Sequence, residues 1–150
     1  MSSTQPDAGE YLRKILLSPV YEVAKVTPLQ VLKKISDRLG NHVVLKREDL
    51  QPVHSFKLRG AYNKIAGLNE EQRAKGVIAA SAGNHAQGVA LSGAKLNIKA
   101  IIVMPTTTPD IKIDAVRRMG GNVVLFGNSF DEAYAESRRL AELHGYTLIP

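Results

Sequence analysis

Gly76-Val77-Ile78-Ala79-Ala80-Ser81-Ala82-Gly83-Asn84-His85-Ala86-Gln87-Gly88 changes periodicity halfway along. Residues 76–80 form an unbroken apolar run of strand length. Beyond the break, Ala86, Val89, Ala90, Gly93 and Ala94 fall on one helical face, and their small side chains suit close packing onto a sheet. The stretch therefore reads as strand, tight turn and helix. Ser81 to Asn84 then lie where a strand ends and a helix begins, so backbone N–H groups, a glycine and polar side chains are placed to hold an anion. Two readings stand at this point: a carboxylate or phosphate cradle, or a plain βα turn with no ligand. The Gly83 to Gly88 spacing lacks the Lys-Ser/Thr pair of a Walker loop, and no Gly-x-Gly-x-x-Gly occurs, so nucleotide binding is weakly supported.

From Gly76 onward the same alternation repeats. Strands are predicted at Val77–Ala80, Ala100–Met104, Val123–Phe126 and Tyr146–Ile149, with helices in the gaps. Thr108 as N-cap, Pro109 at the first position and Asp110 in the first turn open one helix. Phe130, Ala133, Tyr134, Ser137, Leu140 and Ala141 mark another, closed by Gly145, while Gly120-Gly121 reads as a C-cap leading into a strand. This rhythm predicts an α/β fold with a mostly parallel sheet, right-handed crossovers and flanking helices.

Upstream lies Lys46-Arg47-Glu48-Asp49-Leu50-Gln51-Pro52-Val53-His54-Ser55-Phe56-Lys57-Leu58-Arg59-Gly60-Ala61. Leu58, Ala61, Tyr62, Ile65 and Ala66 follow helical spacing, with Ser55 as the expected N-cap and Lys57 in the first turn. The positive end of a helix dipole and its unpaired N–H groups disfavour an ammonium there. Either Lys57 is an ordinary solvated surface lysine, or its nitrogen serves as a neutral nucleophile of the Schiff-base-forming kind.

The leading part is less regular. A flexible head is expected to about Ala8, then a short helix with Tyr11, Leu12, Ile15 and Leu16 apolar, stopped by Pro19. Val31, Leu32, Ile35 and Leu39 permit a helix over residues 28–39. His42-Val43-Val44-Leu45 reads as a strand and Gln51-Pro52 as a loop.

Composition excludes several classes. The chain has 150 residues, 44% of them hydrophobic, enough for one domain that buries about two-thirds of its unfolded surface. The absence of cysteine excludes a disulfide framework, thiolate metal sites and a cysteine nucleophile. No apolar run reaches transmembrane length, and the polar start Met1-Ser2-Ser3-Thr4-Gln5-Pro6-Asp7 lacks a signal-peptide core, so cytoplasm is the expected location and no membrane partner is expected. The excess of 20 Lys+Arg over 14 Asp+Glu raises nucleic acid as a partner. The basic residues are scattered, however, and aromatics are 5% with no Trp, so no nucleic-acid partner is expected. A field that attracts anionic ligands explains the charge as well.

Other candidates point to structure. His42, His54, His85 and His144 contain no i, i+4 metal pair, and no metal site is expected. Glu48-Asp49, read as strand residues, would point to opposite faces rather than converge on one substrate. Arg117-Arg118 and Arg138-Arg139 read as solvated helix faces. Ser55 and Ser81 show no His-Asp partner at a telling position.

Together, His54-Ser55-Phe56-Lys57-Leu58-Arg59-Gly60-Ala61 and Ser81-Ala82-Gly83-Asn84-His85-Ala86-Gln87-Gly88 resemble the two signatures of the threonine and serine dehydratases. These are pyridoxal-phosphate enzymes of fold type II, with the tryptophan-synthase-β-like fold. Thr27-Pro28-Leu29 resembles the family's entry segment, and Val103-Met104-Pro105 with Lys112, Ala115 and Val116 its next βα unit. The leader, Gly9-Glu10-Tyr11-Leu12-Arg13 through Ser18-Pro19-Val20-Tyr21-Glu22, is similar to that of the bacterial biosynthetic threonine dehydratases, also called threonine ammonia-lyases.

The resemblance implies pyridoxal 5′-phosphate as cofactor and a lyase reaction, L-threonine to 2-oxobutanoate and ammonia, the first step of isoleucine biosynthesis. It implies Lys57 as the catalytic and cofactor-attaching residue, Phe56 packed on the cofactor ring and Asn84 hydrogen-bonded to the ring oxygen. Ser81, Ala82, Gly83, Asn84 and His85 become the substrate-carboxylate loop. It further implies a strand and then a short helix over residues 28–39, a leading segment 1–50 ahead of a lysine helix and small α/β lobe over about 51–150, and a homo-oligomeric full-length enzyme.

The family's glycine-rich phosphate loop, its pyridine-nitrogen partner and its C-terminal regulatory region have no counterpart in the 150 residues. The chain is therefore expected to be the first part of a longer catalytic polypeptide, inactive on its own. The alternatives are L-serine as substrate, in a serine dehydratase or a serine racemase-like enzyme, and a non-catalytic fragment that acts through protein interaction. One methyl group is worth only about 1–3 kcal/mol of discrimination.

Overall fold

Apolar residues one apart along each central strand face opposite sides of a parallel sheet, and that alternation organises the molecule. A computed structural model describes residues 7–150. The expected flexible head lies outside the described residues over positions 1–6, and helix α1 already begins at Ala8, running Ala8–Leu16. A 3-10 turn at Pro19–Glu22 follows, then β1 (Leu29–Val31), α2 (Lys33–Leu39) and β2 (Val44–Lys46). Another 3-10 turn, Glu48–Leu50, precedes α3 (Lys57–Ala66) and α4 (Glu70–Lys75). The βα series is β3 (Val77–Ala80), α5 (Asn84–Lys95), β4 (Ala100–Met104), α6 (Asp110–Arg118), β5 (Asn122–Leu125), α7 (Phe130–His144) and β6 (Thr147–Leu148).

Strands β3 to β6 form one sheet in the order β5-β4-β3-β6, and every pairing in it is parallel. Val77 and Ala79 of β3, with Ala100, Ile102 and Met104 of β4, pack under α3, α5 and α6. Ile78, Ile101 and Val103 turn the other way and meet Ala133 of α7. A parallel sheet covered on both faces needs continuous apolar strands, which explains why these runs do not alternate with polar residues. Gly76 enters β3 at φ +99°, where a Cβ would stand 2.7 Å from the Lys99 carbonyl oxygen.

The strands and helices expected from Gly76 onward are all present, with β5 one residue earlier and β6 shorter than read. One cap is corrected. Helix α6 starts at Asp110 with Pro109 as N-cap, and the Thr108 hydroxyl is buried without a hydrogen-bond partner among the described residues. Pro109 lacks an N–H and holds ψ 141°, so the helix begins one residue after the position expected from the Thr-Pro pair. Helix α4 was not specified by apolar periodicity; its signal is the Asn69/Gln72 capping box, in which each side chain accepts the other's backbone N–H.

In the leading part, β1 and β2 pair antiparallel, so residues 28–39 form strand then helix rather than one helix, and the second strand lies two residues later than His42. Helix α2 ends at Gly40 in the left-handed conformation. Three side-chain contacts attach the first 3-10 turn to α3. Ser18 Oγ donates to Asn63 Oδ1 at 2.7 Å, Arg59 lies over the Tyr21 ring, and the Tyr62 hydroxyl donates to Glu22. Tyr62 is fully buried, and burial, reinforced by the Glu22 carboxylate, pushes its phenol up to about 12.

Candidate active site

Lys57 is held at the start of α3 by the residues on either side of it. Ser55 does not occupy the N-cap as expected; Phe56 does, in helical conformation and with no side-chain cap. The serine still satisfies an orphan donor, because its Oγ accepts the Lys57 N–H at 3.1 Å. Before it, the chain turns sharply: the His54 N–H donates to the Gln51 carbonyl, and His54 adopts φ +54°. For a non-glycine residue that conformation carries strain, of the kind found near functional sites. The His54 ring Nδ1 lies 3.2 Å from the Asp49 carbonyl and ties the turn down.

The second motif folds as read. Ser81 N–H continues the β3 ladder by donating to Val103 O. Ser81 Oγ then accepts the N–H groups of Gly83 and Ala86, both at 3.3 Å, which shapes the turn into α5. The first-turn amides of α5 have no intrahelical acceptor, and a Cβ added at Gly83 would meet nothing within 4 Å, so the approach to this turn is open.

Both motifs border one cavity of about 720 Å³. Phe56, Lys57, Ser81 and His85 line it, joined by Arg59, Lys64, Phe130 and Ile149. Ala82 and Gly83 are half-buried beside it, and Asn84 is exposed; these three are not among the lining residues. Helices α3 and α5 meet closely because Gly88 offers no side chain: a Cβ there would lie 3.3 Å from Leu58 N. Among the described residues, no carboxylate forms an ion pair with Lys57.

His85 is half-buried, with Nε2 3.3 Å from the Ile149 carbonyl. Burial lowers its pKa, the Ile149 contact opposes that, and the nearby Lys57 charge lowers it further. A neutral imidazole therefore faces the cavity at neutral pH. Glu48 and Asp49 do not converge on a substrate, and the reason differs from the one expected. They sit on a 3-10 turn rather than a strand. Asp49 pairs with Arg47, while Glu48 accepts from Arg59 at 2.8 Å, with Thr27 and Gln51 as further donors. Arg139 pairs with Glu136, which is buried at the base of an otherwise solvated face. No group of three or more His, Asp or Glu able to hold a metal occurs among the described residues.

Sequence reasoning missed Arg59, Lys64, Phe130 and Ile149 as cavity residues. Lys64 was within reach, since i+7 from Lys57 returns to the same helix face, whereas Arg59 at i+2 falls on a different face and its spacing does not announce it. Phe130 and Ile149 come from distant elements, and no local pattern announces them.

Known proteins resemble this chain in sequence and in fold. Biosynthetic L-threonine dehydratase of Escherichia coli (strain K12) is 62% identical over 148 residues, which are 99% of this chain and 29% of that protein. Threonine dehydratase 1 biosynthetic, chloroplastic, of Solanum lycopersicum is 62% identical over 141 residues, 94% of this chain and 23% of that protein. The chain thus spans less than a third of the length of these relatives. Among solved structures, the processed form of threonine deaminase isoform 2 from Solanum lycopersicum superposes with TM-score 0.92 at 58% identity, covering 99% of this chain and 44% of that one. Maize serine racemase superposes with TM-score 0.87 at 33% identity, covering 94% and 43%. No helix among the described residues is long and apolar enough to cross a membrane. Residues 20–150 match the family model described as pyridoxal-phosphate dependent enzyme, and the chain belongs to that family.

Proposed function

We propose that this segment carries the cofactor-attaching lysine and the substrate-carboxylate loop of an L-threonine dehydratase (threonine ammonia-lyase), forming 2-oxobutanoate and ammonia at the first step of isoleucine biosynthesis. The observation that carries this reading is the convergence of Lys57 with Ser81 and His85, the two ends of the loop, on one cavity. In the same reading, residues 1–50 are the leading segment and about 51–150 the lysine helix with a small α/β lobe. The location is cytoplasmic and the assembled enzyme a homo-oligomer.

The residues present fit the cofactor. An exposed lysine amine with no ion-pair partner among the described residues faces a cavity with apolar walls, and the open turn at Gly83 leaves donors accessible to an anion. When bound, pyridoxal phosphate supplies the electron sink for the carbanion at the amino acid's α-carbon. Lys57 Nζ is the attachment atom and the base that takes the α-proton. Phe56 supplies a flat apolar wall for the ring, and Asn84 a hydrogen bond to its oxygen. Ser81 Oγ and the turn's N–H groups hold the substrate carboxylate and so fix which bond at the α-carbon faces Lys57. His85, kept neutral, adds no second positive charge beside the amine.

Borohydride reduction with the cofactor present, followed by peptide mapping, tests the assignment in a polypeptide of the relatives' full length. The label is expected on Lys57, and Lys57→Ala is expected to abolish both label and elimination. Label on Lys64, which lines the same cavity, or on Lys75 overturns the reading.

A further inference from the structure

Glu48 lies outside the cavity lining, yet its carboxylate is bonded to both flanks of the segment that carries Lys57. On the N-terminal flank, Gln51 Nε2 donates to both Glu48 oxygens at 3.2 Å. On the C-terminal flank, Arg59 donates through Nε at 2.8 Å and Nη2 at 3.1 Å. Thr27 Oγ1 completes the set at 2.5 Å.

The partners are themselves anchored. Gln51 is 1% exposed, and its amide pairs with Lys25 as a strand backbone would, accepting the Lys25 N–H and donating to the Lys25 carbonyl, each at 2.8 Å. Arg59 also donates to that carbonyl at 3.3 Å. Between these anchors lie the strained His54 and the first turn of α3. Val53 and Leu58 are fully buried on either side, while Phe56, 64% exposed, and Lys57 between them project outward with no apolar packing of their own. The polar frame around Glu48 ties the two ends of this outward-facing step to each other.

We infer that Glu48 is a positioning residue for Lys57: by binding Gln51 before it and Arg59 after it, one carboxylate clamps the turn from which the lysine reaches the cavity. Glu48 touches neither substrate nor cofactor and acts through its two partners. It also keeps the Arg59 guanidinium engaged at the cavity wall, so that this charge is not released beside the lysine amine. Charge-assisted bonds in a half-dry setting are strong enough for that role. The arginine bonds, chiefly, hold Glu48 down to about 2, with help from Thr27 and Gln51 against the opposing effect of burial, so the clamp is closed throughout the physiological range.

The inference rests on the reading of Lys57 as the attachment residue, and the test separates the two. Hydrogen–deuterium exchange is measured on a polypeptide of the relatives' full length and on its Glu48→Gln variant, which keeps the shape and removes the charge. Amides over residues 52–60 are expected to exchange at least about tenfold faster in the variant, with those of β3 and β4 unchanged. Thr27→Val, which removes one donor and leaves the ion pair, is expected to give a smaller rise in the same segment; it decides the matter if Glu48→Gln does not fold. Equal acceleration in the sheet, or none in residues 52–60, overturns the clamp. Borohydride trapping with pyridoxal phosphate is run in parallel. A yield at Lys57 at least about threefold lower in Glu48→Gln supports the inference, and an unchanged yield overturns it. If the unsubstituted full-length polypeptide is trapped elsewhere, the attachment reading fails, while the exchange data still decide whether Glu48 holds the turn.

Discussion

Gly88 on α5 lies directly against the backbone of Leu58 on α3: a Cβ at 88 would stand 3.3 Å from the Leu58 nitrogen and 3.4 Å from the Lys57 carbonyl carbon. Backbone atoms cannot rotate away, so this glycine sets the distance between the helix that carries Lys57 and the helix that follows the Ser81–Gly83 turn. Gly88→Ala combines a helix-propensity gain of about 1 kcal/mol with a tight contact, and its stability is expected to stay within about 1 kcal/mol of the parent. Gly88→Val adds methyl groups with nowhere to go and is expected to cost about 1–3 kcal/mol in denaturant titration. Full stability in the valine variant would show that α3 and α5 can separate freely.

Ser81→Ala removes the acceptor for the Gly83 and Ala86 N–H groups and leaves both without their partner in the turn. In the full-length enzyme a loss of about 1–3 kcal/mol in kcat/KM is expected, with the covalent link to Lys57 retained. On the proposed reading, Asn84→Ala is expected to show a loss of similar scale, again with borohydride trapping at Lys57 retained. Kinetics equal to the parent in both would place the turn outside the site.

Acid should weaken the molecule through Glu48. Its folded pKa is lowered from 4.5 to about 2, so its contribution to stability is complete above pH 4.5 and is lost as pH falls toward 2. The carboxylate side chain is 15% exposed, and a shift of this size corresponds to about 3 kcal/mol. Denaturant titrations of the parent and Glu48→Gln across that window are expected to converge at the acid end. A constant gap between the two curves would rule out this titration as the cause.

His54 at φ +54° makes its position sensitive to backbone chemistry more than to side-chain charge. His54→Asn is expected to be tolerated, because asparagine adopts the left-handed region readily. His54→Val is expected to cost about 1–3 kcal/mol and to lower borohydride trapping at Lys57, since a β-branched residue resists that conformation. Equal melting of the two variants would refute the strain argument.

The sequence by itself determined the parallel α/β layering, because apolar strand runs and small-residue helix faces are local patterns with fixed periods. It also marked Lys57 and the Ser81–His85 turn, since helix starts after Ser55 and after a strand are written in neighbouring residues. Elsewhere local signals misplaced a boundary. The Thr108-Pro109 pair put α6 one residue early, and the apolar spacing at Val31, Leu32, Ile35 and Leu39 permitted a single helix where β1 in fact pairs with β2 before α2 begins. Only tertiary structure decided that Phe130 and Ile149 wall the same cavity as Lys57, and that Glu48 joins Thr27, Gln51 and Arg59. Most of those contacts join residues well separated along the chain, chosen by how strands order in a sheet and how a half-buried carboxylate collects its donors. No periodicity encodes such choices, because their energies exist only once the layers have packed.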